Sequence, residues 1–201
     1  MAGLRYWIGR LVLGAGGFRV VGEAPKEPRL VIIGAPHTSG WDLPFTLATT
    51  YVLGVRMHWM GKHTLFEGPL GPLLRALDGV PVDRGAAGDV VSQMARAFAE
   101  RGQFLLAMAP QGTRLKTDYW KSGFYRIAVA ADVPIACGFV DYAHRTCGIG
   151  AVIHPSGDVR SDMERVRAFY RDVRGKHPER ETEPRLREEM EARPYATPVP
   201  G

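Results

Sequence analysis

Cysteine is scarce: Cys137 and Cys147 are the two cysteines of a 201-residue chain. A chain of this size can bury a core without covalent staples. The pair therefore reads as two buried free thiols of a reducing compartment, with a bond between neighbouring strands as the alternative. Long apolar runs are missing as well. No stretch approaches the ~18 residues of a spanning helix, and Arg10 interrupts the apolar stretch near the N-terminus, which removes the continuous core of a signal peptide. The expected location is cytoplasmic, free or peripheral at the inner face of the membrane. There is no G-x-S-x-G elbow, which sets aside a serine nucleophile. No His and Cys residues stand at a zinc-ligand spacing, so no metal is expected. No dense Lys/Arg block is interleaved with aromatics, which places nucleic acid last among partners.

What is present is a hydrophobic content of 45% and a formal charge of +5. The first supports one well-buried core; the second favours anionic partners such as a phospholipid surface or a phosphate-bearing substrate.

Near the N-terminus, Leu4, Trp7, Ile8, Leu11 and Val12 recur at helical spacing with Arg5, Gly9 and Arg10 off the stripe, which predicts an amphipathic helix. Trp7 and Tyr6 beside two arginines suit a helix lying on an anionic bilayer, and the same pattern suits a terminal helix packed on its own domain. Gly14, Ala15, Gly16 and Gly17 then form a joint. From Leu30 onward apolar β-branched runs alternate with helical periods. Strands are predicted at 30–33, 56–60, 104–109, 134–140 and 146–154, with a brief one in GVPVDRG at 79–85; helices are predicted at 42–53, 69–77, 89–101, 122–131 and 159–174. The charge-dense stretch 181–193 reads as one exposed helix, and residues 178–201 as a charged, partly disordered tail. The expected fold class is α/β: a largely parallel central sheet covered by helices on both faces. It occupies residues 18–177 and follows a membrane-associating helix and joint at 1–17.

Loops that follow parallel strands share one edge of a sheet. Three of the predicted strand ends carry polar residues. After the first, in LVIIGAPHTSGWDL, His37 and Asp42 stand five positions apart, the spacing of a general base and its orienting carboxylate; Asp42 alone reads equally as a helix cap. After the brief strand come Asp83 and Arg84. After 104–109, in PQGTR, Gly112 shapes a turn, Thr113 offers a hydroxyl and Arg114 a planar fork of donors suited to phosphate. Lys62, at the end of the strand at 56–60, is a candidate anion contact, and Lys116 and Lys121 add positive charge near Arg114. A base, an acid and two arginines converging on one edge point to an active site.

These residues resemble the glycerolipid acyltransferase family of the lysophosphatidate type. His37 and Asp42 match its first block, Gly79, Asp83 and Arg84 its second, Pro110, Gly112, Thr113 and Arg114 its third, and Val133, Pro134 and Ile135 its weaker fourth. Two positions depart: Pro36 stands where the family has Asn, and Gln111 where the third block has Glu, which removes a negative charge and implies a more positive pocket. The resemblance implies direct transfer of a fatty acyl group from acyl-CoA or acyl carrier protein to a hydroxyl of a lysophospholipid such as 1-acylglycerol-3-phosphate. In that scheme His37 is the base and Asp42 its partner. Arg84, Gly112, Thr113, Arg114, Gln111, Lys62 and Lys121 line the substrate site, and no cofactor is bound beyond the acyl donor. A thioesterase using the same His on water and a non-catalytic lipid-binding relative are the alternatives.

Overall fold

In the computed structural model, residues 3–82 and 87–190 are described. Helix α1 (Leu4–Ala15) is followed by β1 (Arg19–Val21), β2 (Arg29–Gly34), α2 (Asp42–Leu53), β3 (Met57–Lys62), α3 (Gly71–Ala76), β4 (Gly79–Val82), α4 (Ala87–Glu100), β5 (Phe104–Met108), α5 (Gly123–Ala131), β6 (Ile135–Asp141), β7 (Thr146–Ile153) and α6 (Val159–Tyr170). Among the described residues the strands form one seven-stranded sheet in the order β1-β7-β6-β2-β5-β3-β4. Every neighbouring pair is parallel except β6 with β7, which are antiparallel. The α/β class and the largely parallel sheet are as the alternation of strand and helix predicts.

Leu30, Val31, Ile32 and Ile33 are all buried because β2 is covered on both faces, which is why its sequence is continuously apolar rather than alternating. On one face Leu30, Ile32, Trp59, Leu105 and Ala136 pack under α2. On the other, Val31, Ile33, Leu106 and Cys137 pack under α5 and α6. Both cysteines are free and buried, and burial pushes the Cys137 thiol up to about 12. Helix α1 lies on the outer side of α2. A methyl group on Gly9 would come within 2.6 Å of the Ala48 carbonyl oxygen, so the two helices touch backbone to backbone there and only glycine fits.

Two local expectations are corrected. Helix α6 stops at Tyr170 rather than 174, where the Tyr170 hydroxyl donates to the carbonyls of Ile33 and Gly138 and anchors the helix end on the sheet. The stretch from 181 is no exposed helix. Two short 3₁₀ turns, Pro178–Arg180 and Arg187–Met190, flank an extended piece whose Thr182 and Leu186 are buried against Thr117 and Trp120. Strand β1, only three residues long, joins the edge of the sheet ahead of the first predicted strand.

Strands β2 and β5 are neighbours, yet their chains leave in opposite directions: β2 continues into α2 on one face and β5 into α5 on the other. Such a divergence opens a crevice at the carboxyl edge of the two strands.

Candidate active site

The loop after β2 carries His37 into that crevice. Asp42 opens α2, and its side chain does not cap the helix. It folds back over the loop, where Oδ2 accepts the backbone N–H groups of Thr38 and Ser39, both at 2.9 Å. The same oxygen lies 3.3 Å from His37 Nδ1. Oδ1 accepts the hydroxyl of Tyr142 at 2.9 Å, across a sequence separation of 100 residues. A carboxylate that is 5% exposed is thus held by three donors besides the imidazole. Burial, with the adjoining Asp42 charge, lifts the Tyr142 hydroxyl well above the ordinary phenol value, so it remains a proton donor to the carboxylate.

His37 and Asp42 form part of the wall of a cavity of about 800 Å³. The cavity spans the carboxyl edge of the sheet, from α2 on one face to α4 and α5 on the other, over Gly34, Ala107 and Gly138, where small side chains on adjacent strands leave room. Leu43, Met57, Trp59, Met60 and Ile149 contribute much of its apolar surface. Thr49 and Thr50 also face it, but their hydroxyls are bonded to carbonyls of their own helix. The wall is mainly apolar with a few polar groups at one end, the composition of a site for a lipid-like ligand.

Of the residues singled out from the sequence, His37, Asp42, Gly112 and Lys121 line this cavity. Arg114 lies over the His37 loop: a methyl group on Gly40 would come within 3.0 Å of one of its terminal nitrogens. The hydroxyl of Thr113 accepts the N–H of Leu115 and braces the turn. Lys62 is exposed at the end of β3, between the cavity residues Gly61 and Leu65. Asp83 and Arg84 lie outside the described residues. Gln111 is 1% exposed, and its amide nitrogen donates to the carbonyls of Leu115 and Arg180, so its side chain is turned into the protein rather than toward the cavity. Among the described residues no three His, Cys, Asp or Glu side chains are grouped as metal ligands.

Two residues were missed. Tyr142 directly follows β6, whose end lies on the same sheet edge as that of β2, so a survey of polar residues at every parallel strand end finds it. Arg126, one turn into α5 beyond Lys121, adds a second cation to the cavity wall, a position that only the helix geometry reveals.

The sequence profile of the Acyltransferase family matches residues 18–138, more than half of the chain, including the loops after β2 and β5. The chain belongs to the acyltransferase family. Four short blocks thus led to the correct class of enzyme. The acyltransferase also resembles the crystal structure of the 1-acyl-sn-glycerophosphate (LPA) acyltransferase, PlsC, from Thermotoga maritima. The TM-score is 0.52 and the identity 20%, over 83% of this chain and 73% of that one, which shows a shared fold. No curated protein matches the acyltransferase sequence.

Proposed function

We infer that this acyltransferase moves a fatty acyl group from a thioester, acyl-CoA or acyl carrier protein, onto a hydroxyl of a lysophospholipid such as 1-acylglycerol-3-phosphate. The observation that carries this is the position of His37. One ring nitrogen faces a carboxylate already fixed by the fold, and the ring itself borders a mainly apolar cavity.

With the proton on Nδ1, the nitrogen that faces Asp42 at 3.3 Å, Nε2 is the basic nitrogen. It takes the proton of the acceptor hydroxyl as that oxygen attacks the thioester carbonyl carbon. The C–S bond then breaks and the imidazolium returns the proton to the departing thiolate, leaving an ester, a free thiol and neutral His37. Asp42 stabilises the imidazolium in between. The cavity suits a fatty chain, each buried methylene contributing about 0.8 kcal/mol. Arg114, Lys121 and Arg126 suit an acceptor phosphate.

Peripheral attachment to an anionic bilayer, at its cytoplasmic side, belongs to the same proposal, and the exposed surface supports it. Leu4, Trp7 and Leu11 of α1 are exposed, as is Trp41 four residues from His37, with Arg5, Arg10 and Lys176 nearby in the structure or sequence. No helix among the described residues is long and apolar enough to cross a membrane.

The test is thiol release from an acyl thioester with and without a panel of lysophospholipids. Transfer gives release that depends on the acceptor, with matching ester formation, and none from a folded His37→Ala protein. Release that ignores the acceptor means hydrolysis of the thioester instead.

A further inference from the structure

Gln111, which occupies the Glu position of the third block, is turned away from the cavity and toward the segment that follows α6. That segment, residues 174–186, lies beyond the 18–138 stretch matched by the family profile and touches each of the three loops that form the site. At its start the Arg174 carbonyl accepts the N–H of Tyr142 at 2.9 Å, and the Arg174 N–H donates to Asp141, which holds the turn carrying Tyr142. Next, the N–H of His177 donates to the Thr38 hydroxyl at 3.1 Å, while the Thr38 N–H is one of the two backbone donors to Asp42. Gly175 packs so closely here that a methyl group on it would come within 2.6 Å of the same hydroxyl. Further on, the Arg180 carbonyl accepts the Gln111 amide at 3.0 Å, and Thr182 takes the N–H of Thr117 and the indole N–H of Trp120.

We propose that residues 174–186 form a strap that sets the His37–Asp42 loop and the PQGTR loop in register, with Gln111 and Thr38 as its positioning residues. Gln111 meets two carbonyl oxygens, which only accept, so the side chain at this position must donate twice. A carboxylate there would face both carbonyls with no proton to offer. The amide of this chain is therefore what the Arg180 carbonyl of the strap and the Leu115 carbonyl of the loop together require, and the change from Glu is a structural adaptation and not decay of the site. The role assigned to the strap in catalysis rests on the acyl transfer inferred above; its role in holding the loops does not.

Two variants of the full-length protein test this from opposite ends, Gln111→Glu and Thr38→Val. Each is assayed for acyl transfer, and each is followed by amide hydrogen exchange well below its melting temperature. The expected result is a kcat lower by about 10–100-fold with KM for both substrates within about twofold, the pattern of misplaced rather than missing groups. In Gln111→Glu the amides of Ser39, Thr38 and His177 exchange faster, while that of Val31 in the sheet core does not. Because both changes loosen one strap, the double variant is no worse than the worse single one. Unchanged exchange at Thr38 and His177, equal acceleration at Val31, or fully additive losses in kcat would each overturn the proposal. If no form of the protein transfers acyl groups but the local exchange pattern still appears, the strap stands and the inferred activity falls.

Discussion

Asp42→Asn isolates the electrostatic share of the catalytic pair, because the site dictates how the new amide must sit. Oδ2 faces two backbone N–H groups and the imidazole Nδ1, so the amide oxygen takes that place. Its NH2 then replaces Oδ1 and donates to Tyr142, whose hydroxyl can turn to accept. The hydrogen-bond pattern survives, including an acceptor opposite His37 Nδ1, and the imidazole keeps its working tautomer. What disappears is one negative charge 3.3 Å from the imidazolium of the transition state. Across that distance the attraction amounts to between about 1 kcal/mol at the dielectric of water and about 5 kcal/mol at an effective dielectric of ~20. For a ring that is 28% exposed the result lies inside those limits, a fall in kcat of roughly ten-fold to a few thousand-fold. The measurement is the initial rate of acceptor-dependent thiol release at saturating acyl donor, with a thermal melt to show that the variant is folded. A loss of less than about threefold would refute the charge stabilisation. A loss beyond about 10⁴-fold in a folded variant would refute the amide orientation, since a reversed amide would force the other tautomer.

Three further outcomes are expected. Tyr142→Phe removes a hydrogen bond to a charged group, of a kind worth about 1.5–3 kcal/mol, so kcat falls by about tenfold or more with KM little changed; equal falls in both would make Tyr142 a substrate contact. At Gly34 an added Cβ meets nothing nearer than the Met108 carbonyl oxygen at 4.0 Å, so Gly34→Val folds and projects into the cavity; competition between acyl thioesters should shift toward shorter chains, and an unchanged preference would place the chain elsewhere. Replacing Trp7 and Leu11, 62% and 74% exposed, by Ser should release the protein from anionic vesicles in a flotation assay without lowering its melting temperature, and retained binding would assign attachment to another surface.

The parts of the site that a sequence announces are those joined by a short stretch of chain. His37 and Asp42 are five positions apart and lie at the end of an unmistakably apolar strand, and Gly112, Thr113 and Arg114 follow another, so spacing alone carried their convergence. Tyr142 and the 174–186 segment reach the same carboxylate and the same loops through tertiary contacts, and no local period encodes them. The segment also disguises itself. Few of its side chains, chiefly Thr182 and Leu186, turn inward among exposed charges, and the atoms it offers its partners are mostly its own backbone, which any sequence supplies. Helix α6 ends short of its helical period for a related reason: the anchor that stops it is a tyrosine hydroxyl on sheet carbonyls, while the glycine that usually marks such an end comes only at 175. Strand β1 pairs through just three residues, too few for alternation to register.

The two carbonyls that receive the Gln111 amide carry a consequence for descent within the family. Residue 111 belongs to a motif read as chemistry, but one of the two acceptors it serves, the Arg180 carbonyl, lies some seventy positions downstream, outside the residues the family profile matches. Grafting onto this chain the C-terminal segment of a relative that keeps Glu should narrow the difference between Gln and Glu at 111, while the Leu115 carbonyl, which stays in place, should still favour the amide.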